Sequence, residues 1–222
     1  ACGTASFRHP LNPYYAAQSL PFHRPAPVPQ NSDYYVTEID SVAFRNCTKF
    51  SSVSLPDSLK MIRGRAFYNC SGLTGDLIIP DNVTYIGEYA FYGCYNIKGS
   101  LKLSEKLVTI GRYAFSRNSA NNTNMGFSGS LVIPNNVKTI GHYAFNYCTN
   151  LRGSLNMSES LTSIGDYAFY YCEGFTGDLI IPKNVKSIGD YAFYYCRGFN
   201  GKLVLPNGLT SIGSYAFSSG AS

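Results

Sequence analysis

The chain has 222 residues and a mass of 24.4 kDa, and 18 basic against 13 acidic residues give it a net charge of +5. Aromatic residues reach 15%, which excludes a disordered chain, because disordered chains are rich in charge and poor in aromatics. Lys and Arg are scattered with no run of three, so a nucleic-acid partner is not expected. No stretch of about 18 apolar residues occurs, so no membrane span is expected either.

One short motif repeats along most of the chain. Ile-Gly-x-Tyr-Ala-Phe begins at Ile86, Ile110, Ile140, Ile164, Ile188 and Ile212, and degenerate copies begin at Ile39 and Ile62. The intervals between these isoleucines are 23, 24, 24, 30, 24, 24 and 24, the long one being 24 plus six residues around 119–125. The repeat therefore predicts a domain of about 7.5 units over residues 34–222, with the insertion bulging outward.

Each unit suggests a strand followed by a tight turn. Leu77 and Ile79 alternate as in a half-buried strand, and Pro80 ends the strand because proline lacks the donor that strand pairing needs. The apolar residues that follow stand at helix-like spacing: Ile86, Ala90, Phe91 and Cys94. We therefore expect one short parallel strand plus a helical or 3-10 turn per unit. Such a unit cannot bury its apolar face alone, so the units must stack as a solenoid.

The pattern Leu-x-Ile-Pro-x-x-Val-x-x-Ile-Gly-x-x-Ala-Phe-x-x-Cys resembles the BspA-type leucine-rich repeat over about 85% of the chain. The resemblance implies a β-rich α/β solenoid that is right-handed, with parallel strands on one face. It also implies a secreted or cell-surface protein that takes part in adhesion and protein binding, without catalysis or cofactor. A glycine before each strand lengthens the commoner unit by one residue, and Asn118 replaces the repeat cysteine.

Six cysteines share one position of the repeat. These residues, with the asparagine that replaces one of them, are Cys47, Cys70, Cys94, Asn118, Cys148, Cys172 and Cys196. A metal site is excluded because no Cys-x-x-Cys pair occurs, and six equivalent copies do not make one nucleophile. Buried free thiols are expected, bonded like the asparagine to a neighbouring coil's backbone, while disulfides between adjacent coils stay open. Cys2 lies outside the repeat, in the N-terminal segment. It is expected to be an unpaired thiol, and the alternative is a disulfide to another molecule.

Two further sets of positions are candidate binding surfaces. The first is a tyrosine column of Tyr89, Tyr113, Tyr143, Tyr167, Tyr191 and Tyr215, which predicts a stacked ladder, a contact surface, or both. The second is the outward face of the predicted strands: Asp76, Ile78, Lys102, Val132, Asn156, Asp178, Ile180, Lys202 and Val204. Neither surface contains paired carboxylates, a nucleophile beside a base or a phosphate loop, so no enzyme, cofactor or metal is expected.

Residues 1–33 hold six of the 11 prolines and no repeat, which predicts an extended arm. Two half-units without a neighbouring coil suggest an end-to-end contact through Tyr35, Ile39 and Phe44 with Leu209, Ile212 and Phe217. Two functions remain: an extracellular or cell-surface module that adheres to a protein or glycan on another surface, and a structural subunit that stacks with copies of itself into a filament. In the second, the arm braces the neighbouring subunit.

Overall fold

The computed structural model describes residues 35–117 and 126–219, which wind as a stack of coils. One two-residue strand of each coil joins a continuous sheet. These strands are β1 (Glu38–Ile39), β2 (Met61–Ile62), β4 (Tyr85–Ile86), β6 (Thr109–Ile110), β8 (Thr139–Ile140), β10 (Ser163–Ile164), β12 (Ser187–Ile188) and β14 (Ser211–Ile212). They pair in parallel in the order β1-β2-β4-β6-β8-β10-β12-β14, one coil after another. The predicted solenoid is confirmed.

A second set of strands lies in the segment where the sequence predicted one strand per unit. It comprises β3 (Leu77–Ile78), β5 (Leu101–Lys102), β7 (Gly129–Val132), β9 (Leu151–Asn156), β11 (Leu179–Ile180) and β13 (Leu203–Val204). These strands form three separate two-stranded parallel sheets, β3-β5, β7-β9 and β11-β13. Six of the described units thus have two strands rather than one, and on this side the coils associate in pairs.

The turn after each strand of the second set forms the same backbone hydrogen bond whether it begins with proline or with serine. Val83 N donates to Pro80 O at 3.0 Å, and Leu107 N donates to Ser104 O at the same distance one coil later. The Ser104 hydroxyl also accepts from Lys106 N, so serine supports the turn that proline favours by its fixed φ. Proline in the first coil is followed by serine in the second in the pairs β3-β5 and β7-β9, whereas both coils of β11-β13 carry proline, Pro182 and Pro206.

The segment after each isoleucine of the continuous sheet is not helical, so the predicted helical or 3-10 turn is wrong. The described residues contain no helix. Tyr89 N donates across to Arg112 O of the next coil at 2.8 Å, whereas Ala90 N donates locally to Gly87 O at 3.3 Å. Bonds to the next coil thus alternate with local bonds along the segment. This pattern requires a residue with left-handed φ, which a right-handed helix does not contain. At this repeat position the left-handed residues, with φ from 54° to 58°, are Val42, Arg65, Tyr89, Tyr113, Tyr143, Tyr167, Tyr191 and Tyr215.

The core is a set of columns that run along the stack. Phenylalanines of successive coils lie face to face with centroids 5.0 to 5.6 Å apart, and they are Phe44, Phe67, Phe91, Phe115, Phe145, Phe169, Phe193 and Phe217. Each such pair contributes about 0.5–1.5 kcal/mol beyond the burial of its area. The isoleucines of the continuous sheet and the alanines before each phenylalanine fill the space beside this column.

The six extra residues do not change the stacking of the coils on either side. Thr109 pairs with Thr139 and Ile110 with Ile140, as in coils without an insertion. The predicted arm of residues 1–33, Cys2, Asn118 and the extra residues 119–125 themselves lie outside the described residues.

Candidate functional site

The strand face is the outward side of the second set of strands. Because side chains alternate along a strand, Leu77 points into the core and Ile78 points out. Ile78, Val132 and Ile180 are 58%, 51% and 53% exposed, and they occupy every second coil. The remaining predicted residues of this face are also exposed: Asp76, Lys102, Asn156, Asp178, Lys202 and Val204. The face is therefore a row of aliphatic side chains with polar side chains between them.

Two aspartates of the strand face hold neighbouring coils together. Asp76 Oδ1 accepts from Ser100 N at 2.7 Å and from the Ser100 hydroxyl at 2.9 Å. Asp178 Oδ1 accepts from Lys202 N at 2.7 Å. The hydrogen bond from the Ser100 backbone lowers the pKa of Asp76, so its carboxylate is charged at neutral pH. Both bonds lie within a pair of coils, β3-β5 and β11-β13, so they hold the two coils of each pair together.

The six predicted tyrosines form one continuous stack. Their ring centroids are 4.4 to 5.0 Å apart with interplanar angles of 17° or less. All are half-buried except Tyr215, which is 61% exposed. Burial, followed by the neighbouring phenols of Tyr113 and Tyr167, raises the pKa of Tyr143 to about 12. The faces of the rings are covered by each other, so the stack presents ring edges and protonated hydroxyl groups.

Further tyrosines and four arginines widen this surface. Tyr68 stacks on Tyr92, Tyr170 on Tyr194 and Tyr171 on Tyr195, at 5.2, 5.2 and 4.4 Å. The guanidinium groups lie 3.9 to 5.5 Å from ring centroids in the pairs Arg45–Tyr68, Arg65–Tyr89, Arg112–Tyr113 and Arg197–Tyr195. These are cation–π distances. We call the tyrosine columns and these arginines the tyrosine–arginine surface. The sequence analysis indicated the column from Tyr89 to Tyr215, but it did not indicate the arginines, which occupy different repeat positions.

The cysteine column is buried and bonded between coils. Cys172 Sγ donates to Phe145 O of the preceding coil at 3.1 Å, and equivalent bonds of 2.8 to 3.4 Å are made by Cys70, Cys94, Cys148 and Cys196. These five are free thiols, so they form no disulfides between adjacent coils. Cys47 is buried as well, but it is disulfide-bonded, so the free thiol expected at this position is corrected. Burial raises the pKa of Cys148 to about 12. Burial also raises the pKa of Cys94, Cys172 and Cys196, whereas the hydrogen bond with Cys94 lowers the pKa of Cys70. A thiol that stays protonated is a poor nucleophile, so the four thiols with a raised pKa contribute packing and hydrogen bonds.

The residues predicted to meet end to end differ in exposure. Tyr35 is 63% exposed, Leu209 is half-buried, and Phe44 and Phe217 are half-buried and stack on their inner neighbours. Ile39 was expected to contact a second molecule at the first coil, but it lies in the core and is only 3% exposed, so this residue is not accessible for such a contact. At the last described coil Ile212 is 47% exposed, whereas Ile188 one coil earlier is 1% exposed.

The sequence did not reveal a polar groove beside the continuous sheet. Its lining residues include a serine column (Ser163, Ser187, Ser211), a glycine column (Gly165, Gly189, Gly213) and His142, Asp166 and Asp190. Nδ1 of His142 lies 3.0 Å from Asp166 Oδ2, and Asp190 N donates to Asp166 Oδ1 at 3.0 Å. A Cβ on Gly165 would lie 2.6 Å from His142 N, so the glycines permit the close approach of the coils.

Two negative findings apply to residues 35–117 and 126–219. They contain no group of three or more His, Cys, Asp or Glu side chains placed to hold a metal ion. They also contain no helix with the length and apolar character needed to cross a membrane.

Stacked coils joined by parallel strands, with columns of identical side chains inside, define a leucine-rich repeat solenoid. The family model for the BspA type leucine rich repeat region matches residues 31–130 and 124–222 with six copies. The chain belongs to this family, as its sequence indicated.

Two solved structures are similar to the chain. The leucine rich repeat protein of T. pallidum is 28% identical, with 77% of each chain covered and a TM-score of 0.64. A leucine rich cell surface protein from Faecalibacterium prausnitzii is 24% identical, with 82% of this chain and 47% of that chain covered and a TM-score of 0.47. The comparison with curated proteins returns no significant match.

Proposed function

We propose that the chain is a non-enzymatic binding module of an extracellular or cell-surface protein, and that it adheres to a protein partner through the tyrosine–arginine surface. Membership in the BspA-type family supports the class of function and the location, since such repeat solenoids present extended surfaces to partners. The observation that carries the proposal is the combination of stacked tyrosines with arginines over their rings. Tyr and Arg are enriched among the residues that dominate binding energies at protein interfaces.

The stacking prepares this surface for binding. A tyrosine held between two neighbours has lost most of its rotamer freedom before a partner arrives, so little entropy is lost on association. The arginines add positive charge, which favours a partner whose contacting patch is acidic. Protonated hydroxyl groups along the stack supply hydrogen-bond donors at the spacing of the coils.

The test is binding of the folded chain to a panel of immobilised proteins and glycans. We expect protein ligands, and we expect the double variant Arg65→Glu with Arg112→Glu to weaken their binding by about tenfold or more. The matched control has the same change of charge elsewhere, Lys102→Glu with Arg152→Glu. Equal weakening of binding by the control variant would contradict the tyrosine–arginine surface as the binding site. Binding of glycans alone would contradict the proposal that the partner is a protein.

The alternative function is end-to-end stacking of copies into a filament, with residues 1–33 bracing the neighbour. One observation favours it: Leu203 and Ile212 of the last described coil are 49% and 47% exposed, whereas Leu179 and Ile188 one coil earlier are 5% and 1% exposed. A further coil, from the same polypeptide or from a second copy, would cover these side chains. Light scattering over a range of concentrations tests this function, because a mass that stays monomeric contradicts it and a mass lowered by Ile212→Lys supports it.

A further inference from the structure

The aliphatic row of the strand face has a period that matches a particular backbone conformation. Ile78, Val132 and Ile180 recur every second coil and are each about half exposed. Adjacent parallel strands lie about 4.8 Å apart, so two coils correspond to about 9.6 Å. A polyproline II helix has three residues per turn and a rise of about 3.1 Å, which gives about 9.3 Å per turn. The apolar edge of such a helix can therefore contact all three side chains in register. An α-helix matches less well, because its nearest repeat on one face, seven residues at a rise of about 1.5 Å, gives about 10.5 Å.

The chain itself carries a segment with the required pattern. Residues 21–29 read Pro-Phe-His-Arg-Pro-Ala-Pro-Val-Pro, a composition that favours polyproline II. A polyproline II helix has three residues per turn, so Phe22, Pro25 and Val28 would fall on one edge, and all three are apolar.

We propose that the proline-rich segment of residues 21–29 docks along Ile78, Val132 and Ile180, with Phe22, Pro25 and Val28 as the contacting edge. The proposal goes beyond the proposed function, which uses a different surface.

Charge and space on the strand face agree with this occupant. Arg24 of the segment falls on the edge next to Pro25, and the exposed carboxylates of Asp76 and Asp178 lie two residues before Ile78 and Ile180. A Cβ added at Gly75, Gly129 or Gly177 would meet no atom within 4 Å, so the surface beside each aliphatic residue is open. The seven residues from Val28 to Tyr35 span about 22 Å when extended at about 3.1 Å per residue, and the coil of Ile78 lies two coils, about 9.6 Å, beyond that of Tyr35. Both the same chain and a second copy are therefore within reach.

Photo-cross-linking of the full chain tests the docking directly. A photoreactive benzoylphenylalanine replaces Val28 in one sample and Ala26, which falls on another edge, in a second. We expect the group at position 28 to cross-link to the strands that carry Ile78, Val132 or Ile180, and the group at position 26 to do so several-fold less. Mixing isotopically heavy and light chains separates docking within a chain from docking between copies, and either result supports the proposal.

A substitution on the strand face provides the second arm. Val132→Asp should lower the yield of these cross-links by about tenfold, as expected from the loss of one buried aliphatic contact. The matched control is Val108→Asp, since Val108 is a 38% exposed valine beside the continuous sheet. Both changes lie at the surface, and a thermal melt verifies that both variants are folded.

The proposal is overturned if the cross-links map to the tyrosine–arginine surface or the continuous sheet, if none form with the solenoid, or if Val132→Asp leaves their yield unchanged. These outcomes leave the proposed function intact, because that function is measured by the effect of the Arg65 and Arg112 substitutions on partner binding.

Discussion

Replacing Phe145 by alanine should remove a central part of the core. Phe145 is fully buried, and its ring lies 5.4 Å from both Phe115 and Phe169. Truncation of a buried phenylalanine costs about 3–5 kcal/mol, and the loss of two stacking partners places this residue in the upper half of that range. Phe217 is the matched comparison. It is half-buried and stacks on Phe193 alone, so Phe217→Ala should cost roughly half as much.

Urea titration of the two variants measures both the size of the effect and its cooperativity. Because each coil contacts only its neighbours, a break at Phe145 can separate the stack into two parts that unfold independently. A smaller dependence of the unfolding free energy on urea would accompany such a separation. A loss below about 1 kcal/mol for Phe145→Ala, or equal losses at both positions, would refute the stacked column as the main support of the fold.

Three further outcomes are expected. The pKa values of Tyr143 and Cys148 are raised to about 12, so the stability that they contribute is present below their unfolded values of about 10 and 8.5 and is lost as the pH rises toward 12. Urea midpoints should therefore fall at alkaline pH, and less so in Tyr143→Phe. Gly165→Ala should lower the melting temperature strongly because its Cβ would meet the His142 backbone, whereas Gly177→Ala, with φ of 81° and open space, should show only backbone strain of about 1–2 kcal/mol. The four free thiols whose pKa burial raises, Cys94, Cys148, Cys172 and Cys196, should react with a thiol reagent only as fast as the protein unfolds, and comparing their labelling rates in native and denaturing buffer checks this.

The repeat made the stacking of coils predictable, since an apolar position that recurs every 24 residues has to meet its own copies. The buried phenylalanine and cysteine columns follow from this rule alone. The bonds from the five free cysteines to the backbone of a neighbouring coil were also predictable, because asparagine at the same position can make the same bond. Strand length was harder to predict, because a two-residue strand such as Thr109–Ile110 is too short to show a period.

The helical turn was predicted wrongly because Ile86, Ala90, Phe91 and Cys94 are spaced as on a helix. The sequence nevertheless contains a sign of the left-handed residues that replace it. One column of positive φ holds Asn46, Asn69 and Gly93 in the first coils and Tyr147, Tyr171 and Tyr195 in later ones. Gly and Asn are the residues that most readily adopt this conformation, so their recurrence at one repeat position argues against a helix. The sequence contains no comparable sign of the arginine–tyrosine contacts. These contacts join side chains from different repeat positions, so they do not recur with the period of the repeat.

The phenylalanine column continues past the insertion without a change of spacing. Phe115 and Phe145 are separated by six more residues than other neighbours in the column, yet their centroids are 5.4 Å apart, as between Phe145 and Phe169. The corner between these coils is therefore a position where the chain can gain or lose residues while the core stays the same. A foreign epitope or a small folded domain grafted there would be displayed from a rigid support, and related proteins can vary at this corner without having to evolve a new interior.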